Sequence, residues 1–110
     1  MLLCSGKVAF DLIDKKEADK REDVAIVRME QLYPINFDYI NKMFDKYSNA
    51  ELYWVQEEPE NMGAWHYILG RFYKERNFTC VARKMSSSPA TGYKKQHLKE
   101  QEDLINRAFA

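Results

Sequence analysis

Glu57 and Glu58 are the residues of this chain best placed to do chemistry. They are adjacent carboxylates that follow the apolar run Leu52-Tyr53-Trp54-Val55 and precede Pro59, Gly63 and a helical pattern beginning at Trp65. A strand-to-helix junction of this kind is where open α/β sheets carry their functional groups. As a pair they could act as general acid and base, but neighbours in sequence point in different directions and seldom share one substrate. A structural reading fits better: one carboxylate accepts hydrogen bonds from the N–H groups that open the helix after Gly63, and the other pairs with a basic residue of a partner domain. Tyr53, Trp54, Trp65 and Tyr67 surround the pair in a chain that is 14% aromatic, a density that suits either a core or an interface.

A second candidate, Ser5-Gly6-Lys7, follows Leu2-Leu3-Cys4 at another strand-to-helix turn. Backbone N–H groups, a hydroxyl and an ammonium could receive an anion there. A single glycine at such a place is more often tight-turn geometry than a phosphate cradle, and the motif is neither G-x-G-x-x-G nor a Walker loop. Nucleophilic catalysis finds no support: Ser86-Ser87-Ser88 is a polar loop with no histidine near it in sequence, and there is no G-x-S-x-G elbow. Cys4 and Cys80 lie far apart in apolar runs, outside any CxxC or Cys/His cluster, and read as buried core thiols in a reducing compartment. His66 and His97 lack ligand-spaced partners, which makes them helix-surface or interface residues and gives no expectation of a metal site.

The elements that must position these groups fit one domain spanning residues 1–110. Lys+Arg and Asp+Glu both number 17, so no global field attracts nucleic acid or an anionic membrane, and the local pairs Lys15-Lys16 and Lys94-Lys95 read as solvated helix faces. No apolar run approaches the roughly 20 residues that span a bilayer, and no charged-then-apolar leader precedes Leu2. The expectation is a soluble chain.

Four short apolar runs alternate with four stretches of helical period. After Leu2-Leu3-Cys4 comes a helix with a buried stripe of Ala9, Leu12 and Ile13, and nine of the ten residues from Asp14 to Asp23 are charged, so its end must reach solvent. Val24-Ala25-Ile26-Val27 is the second strand. Pro34 stops it, Asn36 caps a helix with Asp38 in its first turn, and Phe37, Ile40, Phe44 and Tyr47 share one face until Ser48-Asn49. Leu52 to Val55 is the third strand, Glu57 to Gly63 a loop, and Trp65, Ile68, Leu69 and Phe72 the buried face of the third helix. Gly70 inside that helix costs about 1 kcal/mol relative to alanine, which predicts close packing at that point. Thr79-Cys80-Val81-Ala82 is the fourth strand, Arg83 to Tyr93 a loop, and from about Lys95 the residues Leu98, Ile105 and Phe109 mark a final amphipathic helix. Such alternation of near-continuous apolar strands with helices predicts a parallel sheet covered on both faces.

Four blocks taken together carry a resemblance: Leu3-Cys4-Ser5-Gly6-Lys7, Val24-Ala25-Ile26-Val27-Arg28-Met29-Glu30-Gln31-Leu32, Trp54 to Trp65, and Ser88-Pro89-Ala90-Thr91-Gly92. In this order and spacing they resemble the C-terminal domain of the thiamine diphosphate-dependent, decarboxylating component of the 2-oxoglutarate dehydrogenase complex, over nearly the whole chain. The resemblance implies a transketolase C-terminal-like fold, a three-layer α/β/α domain whose four-stranded parallel sheet has the order 2-1-3-4. Right-handed crossovers permit that order, and it puts a crevice at the carboxyl ends of the first and third strands. In that fold an antiparallel edge strand comes from chain upstream, so this chain reads as the C-terminal fragment of a larger enzyme.

The resemblance further implies a parent that uses thiamine diphosphate and magnesium to decarboxylate 2-oxoglutarate in the tricarboxylic acid cycle and passes the succinyl group to a lipoyl arm of the succinyltransferase. Its cofactor is held by upstream domains across a homodimer interface, so this piece is expected to bind no cofactor and to have no activity alone. Such a parent is cytoplasmic in bacteria and in the mitochondrial matrix of eukaryotes. Carried over residue by residue, Ser5, Gly6, Lys7 and Gln31 become candidates for an anion or effector, and Gln56, Glu57, Glu58, Pro59, Asn61, Met62, Gly63 and Trp65 candidates for the interface. Where acyl-CoA-binding relatives have basic residues beyond Gln31, this chain has Phe37-Asp38-Tyr39. Rival readings are a receiver-type domain, which would need an acidic cluster after the first strand and a phosphoacceptor Asp ending the third where this chain has Ser5-Gly6 and Gln56-Glu57, a sibling enzyme acting on pyruvate, 2-oxoadipate or another 2-oxoacid, and a free-standing nucleotide-binding regulatory module.

Overall fold

A computed structural model describes residues 1–32, 35–72, 74, 76–83 and 94–110. Strands β1 (Leu2–Cys4), β2 (Ile26–Arg28), β3 (Leu52–Pro59) and β4 (Phe78–Arg83) form one parallel sheet of order β2-β1-β3-β4. Helices α1 (Val8–Ala18), α2 (Phe37–Lys46), α3 (Trp65–Phe72) and α4 (Lys94–Ala108) alternate with them along the chain. The expected strand order and its three layers are both present.

Period-two alternation distributes the strands between two cores. Leu3, Val27 and Trp54 face α2 and α3, where they meet Ile40, Phe44, Trp65, Ile68 and Phe72. Leu2, Cys4, Val55 and Val81 face α1 and α4, where they meet Val8, Ala9, Leu12, Leu104, Ile105 and Ala108. Complete burial of one such side chain contributes about 1.5–3 kcal/mol, so neither helical layer can detach without a large loss. Phe72 anchors the α2/α3 layer, with the rings of Phe37, Phe44 and Phe78 centred 5.8, 5.7 and 5.7 Å away. Asn36 caps α2 as expected, its side chain accepting from the Tyr39 amide at 3.1 Å.

Several sequence expectations need correction. The third strand does not stop at Val55: β3 runs on to Pro59 because β4 offers a partner as far as Arg83, with a register shift between Val55 and Pro59. Gln56, Glu57, Glu58 and Pro59 are therefore strand residues, although their polarity reads as loop. Ile13 and Leu69 lie at the margins of their helices' buried faces and are partly exposed. Leu98 is 59% exposed, because the inward face of α4 starts with polar residues, His97 and Gln101, before Leu104, Ile105 and Ala108. Gly70 packs against nothing: a Cβ added there would meet no atom within 4 Å. Cys80 is only half-buried, whereas Cys4 is fully enclosed. Pro34 and the loop carrying Ser86-Ser87-Ser88 and Pro89-Ala90-Thr91-Gly92 lie outside the described residues.

Candidate functional site

The crevice forms where the sheet order requires it. Gly6, at φ +80°, turns the chain from β1 into α1 on one face, while Gly63, at φ +68°, turns the segment after β3 into α3 on the other. Both backbones occupy the left-handed region that glycine enters at little cost. Between them opens a cleft of about 540 Å³ lined by Ser5, Gly6, Leu32, Trp54, Gln56, Glu58, Gly63, Ala64 and Tyr67.

Gln56 organises this cleft. Its side chain is 3% exposed, and its Oε1 accepts from the Trp54 indole Nε1–H at 2.9 Å and from the Trp65 backbone N–H at 3.0 Å. Its Nε2 donates to the carbonyls of Pro59 at 2.8 Å and Met62 at 2.7 Å, with a longer contact to Glu58 O at 3.3 Å. One neutral amide thus satisfies the first N–H of α3, a buried indole and the turn between them. The sequence assigns the α3 N–H groups to a carboxylate; the structure gives that of Trp65 to Gln56. An amide does this at lower desolvation cost than a buried charge and can donate to carbonyls as well.

The two glutamates part company, as adjacent strand residues must. Glu57 turns to the α1/α4 face, where its Oε1 accepts from Gln101 Nε2 at 2.9 Å and lies 3.8 Å from Lys7 Nζ. Gln101 Nε2 also donates to Asp11 at 2.9 Å, and its Oε1 accepts from the buried Arg83 at 2.8 Å. Arg83 Nη1 lies 3.2 Å from His97 Nδ1; arginine can only donate, so the ring nitrogen accepts. This polar clasp binds α4 to β3, β4 and α1. Its members carry no local motif: the sequence reads His97 as a helix-surface or interface residue and Arg83 as the start of a loop, and gives Gln101 no role; the signal for His97 and Gln101 is spacing, since 97, 101, 104 and 108 repeat at i, i+4, i+7 and i+11.

Glu58 points the other way, into the cleft. Its Oε2 would lie 2.5 Å from a Cβ placed on Gly63, and its own Cβ would lie 3.2 Å away. Half-buried, its carboxylate meets no cation among the described residues. Leu32 and Tyr67, absent from the sequence-level candidates, complete the cleft wall.

The four anion candidates do not converge. Ser5 and Gly6 line the cleft, and Lys7, 76% exposed, leans toward Glu57 on the opposite face of the sheet. Gln31 lines a separate cleft of about 430 Å³ with Arg28, Met29, Glu30, Asn36, Tyr39 and Ile40. Of the interface candidates, Gln56, Pro59 and Trp65 are buried within the domain itself, Trp65 at 7% exposure in the α2/α3 core. Glu57, Glu58 and Met62 are half-buried, and Asn61 and Gly63 are exposed, so the outward surface of this segment is made by these five together with the exposed Glu60 and the half-buried Ala64. Among the described residues no group of three or more His, Cys, Asp or Glu could hold a metal ion, and no helix is long and apolar enough to cross a membrane.

Burial raises both thiol pKa values. That of Cys4 is pushed up to about 11, opposed by the nearby Arg28 charge, and that of Cys80 to about 12, with Glu60 adding to the shift and Arg107 opposing it. Neither is poised as a nucleophile at neutral pH.

Comparison with known proteins agrees across the whole chain. The model of the family described as 2-oxoglutarate dehydrogenase C-terminal matches residues 1–109. The chain is 41% identical over 117 aligned residues to the 2-oxoglutarate dehydrogenase E1 component of Azotobacter vinelandii, covering 99% of this chain and 12% of that protein. It is 39% identical over 115 residues to the mitochondrial 2-oxoglutarate dehydrogenase of Caenorhabditis elegans, with 99% and 11% covered, and 41% identical over 117 residues to the E1 component of Rickettsia prowazekii, with 99% and 12% covered. The chain thus spans about 12% of the length of the first of these relatives.

Proposed function

The chain belongs to the 2-oxoglutarate dehydrogenase C-terminal family, and from that premise we propose that it is a non-catalytic assembly domain of a dehydrogenase acting on 2-oxoglutarate. The parent decarboxylates its substrate with thiamine diphosphate and magnesium and succinylates a lipoyl group of the succinyltransferase. The domain packs on the preceding domains of its own polypeptide and supports a homodimer. Its setting is the cytoplasm of a bacterium or the mitochondrial matrix, since relatives of both kinds match it.

The observation that carries this reading is the use made of the crevice. Gln56 has its amide committed to Trp54, Trp65, Pro59 and Met62, which fixes the shape of the wall and leaves Glu58 as the one carboxylate among the described lining residues, without a second carboxylate to form a catalytic pair. The chemistry of the wall also disfavours the cofactor: Glu58 is there and Lys7 is turned away, so a diphosphate would meet repulsion. We therefore assign thiamine diphosphate and magnesium to the preceding domains and route no step of the reaction through this chain.

The test compares the 110-residue chain with a longer polypeptide carrying it, each given 2-oxoglutarate, thiamine diphosphate and magnesium. Carbon dioxide release is expected from the longer polypeptide alone, and removal of this domain from it should lower both activity and the dimer fraction in sedimentation. Release by the short chain above the buffer control, reproducible with independently purified protein, would falsify the assignment.

A further inference from the structure

We propose that the cleft between β1 and β3 is a socket for one basic side chain, an arginine presented by the preceding domains of the longer polypeptide, with Glu58 as its counter-ion. This rests on the assembly reading above and gives that surface a partner of defined chemistry.

Charge supports it first. The turn at Ser5-Gly6-Lys7 would suit an anion if the ammonium faced the cleft, but Lys7 leans toward Glu57 on the other side of the sheet. Among the described residues, the one charged side chain lining the cleft is the carboxylate of Glu58. A half-buried carboxylate that meets no cation among the described residues has lost part of its solvation, so it favours a ligand that returns a positive charge. The positive ends of α1 and α3 act in the opposite sense, but the leading N–H of α3 is already bonded to Gln56, and a helix end exerts its partial charge weakly where solvent and salt screen it.

Shape supports it independently. Leu32, Trp54 and Ala64 give the cleft apolar walls, so the occupant that fits has an aliphatic stem and a cationic head, which is arginine's construction. The socket is also preformed. Gln56 ties down the carbonyls of Pro59 and Met62 on the connecting turn. Gly63 leaves open the space where a Cβ would crowd Glu58 Oε2 at 2.5 Å and Gln56 Oε1 at 3.1 Å. Glycine at 63 thus permits the turn and lets the carboxylate stand over it. A rigid receptor loses little freedom on docking.

Probes of matched shape test the charge preference: N-butylguanidinium, the neutral N-butylurea and the anionic butanesulfonate, titrated into the 110-residue chain and followed by the ¹⁵N–¹H signals of Gly63, Ala64 and the Trp54 indole. Saturable shifts are expected with the guanidinium, about fivefold weaker affinity for the urea, and loss of that difference in Glu58→Gln but not in Glu60→Gln. Equal affinity for guanidinium and urea, preference for the sulfonate, or no saturable shift overturns the proposal.

In the longer polypeptide, Glu58→Arg should release the domain from the preceding ones faster under limited proteolysis, with Glu60→Arg as the control. Unchanged release in Glu58→Arg overturns the socket and leaves the assembly role standing. A wild-type domain that the preceding ones do not protect at all defeats the assembly reading itself.

Discussion

Replacing Gln56 by leucine keeps the approximate volume and the apolar stem but removes a group that satisfies polar atoms on three stretches of chain. The Trp54 indole N–H and the Trp65 amide both lose their acceptor, in a position where Trp54 is 1% and Trp65 7% exposed. A buried donor left unsatisfied costs about 1–3 kcal/mol. The carbonyls that lose Nε2 suffer less, because Pro59 O still accepts from the Met62 amide at 2.8 Å. Two orphaned donors therefore set the scale at about 3 kcal/mol, with the extra apolar burial of leucine offsetting about 1 kcal/mol of the loss at the three carbonyls. For a domain of this size that lowers the melting temperature by about 15 °C. Urea denaturation followed in parallel by tryptophan fluorescence and far-ultraviolet circular dichroism measures it, with Gln96→Leu on the exposed side of α4 as a control expected to stay within about 0.5 kcal/mol. A Gln56→Leu protein less than about 1 kcal/mol below wild type would refute the argument that this amide holds the crevice together.

Two further outcomes follow from the same geometry. Gly6→Ala and Gly63→Ala both force alanine into the left-handed region at about 1–2 kcal/mol, but nothing lies within 4 Å of a Cβ at position 6, whereas one at 63 meets the fixed Gln56 Oε1 at 3.1 Å; Gly63→Ala should be the less stable by about 1 kcal/mol in the same urea assay, and equal losses would show that the crowding is relieved freely. The thiols give a pH dependence of definite sign: burial raises Cys4 from 9.0 to about 11 and Cys80 from 9.0 to about 12, so the folded state holds these protons more tightly, and the associated stability is complete below pH 9 and declines as pH rises toward the folded values. Unfolding free energy measured from pH 8 to 10.5 should fall more steeply for wild type than for Cys4→Ala/Cys80→Ala, and thiol titration at pH 8 should be slow until denaturant exposes two equivalents; matching slopes in the two proteins would contradict the assignment.

What the sequence made legible was mostly periodic. Strand number and helix positions follow from apolar residues at spacings of two and of three to four, and these are local properties with enough repeats to be read. Asn36 was legible for the same reason, a cap being a matter of a few neighbouring residues. The extension of β3 was not, because Gln56-Glu57-Glu58 is polar and becomes strand only when Arg83 supplies the far end of a partner. α4 shows the complementary failure. Its inward face is continuous in space, but half of it is written in His97 and Gln101, and a reading that counts only apolar residues chose Leu98 instead.

The crevice shows why site chemistry is harder to read than fold. Its location followed from strand order, but its electrostatic sign depends on which face of one strand each charge occupies. Lys7 beside Gly6 suggested a site for an anion, and Glu57-Glu58 suggested one carboxylate for the start of α3 and one for a partner domain. A single alternation along β3 rearranges both: Glu57 goes to the α1/α4 face, where Lys7 and Gln101 meet it, and Glu58 is left in the cleft. Shifting the register of β3 by one residue would exchange the two carboxylates, putting Glu57 in the cleft and turning Gln56 away from the Trp65 amide it holds. The identity that fixes this register is Trp54, fully buried in the α2/α3 core two positions before Gln56 and four before Glu58. Core packing at one residue therefore decides which carboxylate stands in the cleft, and it keeps Gln56 on the same face to hold the turn beside that carboxylate.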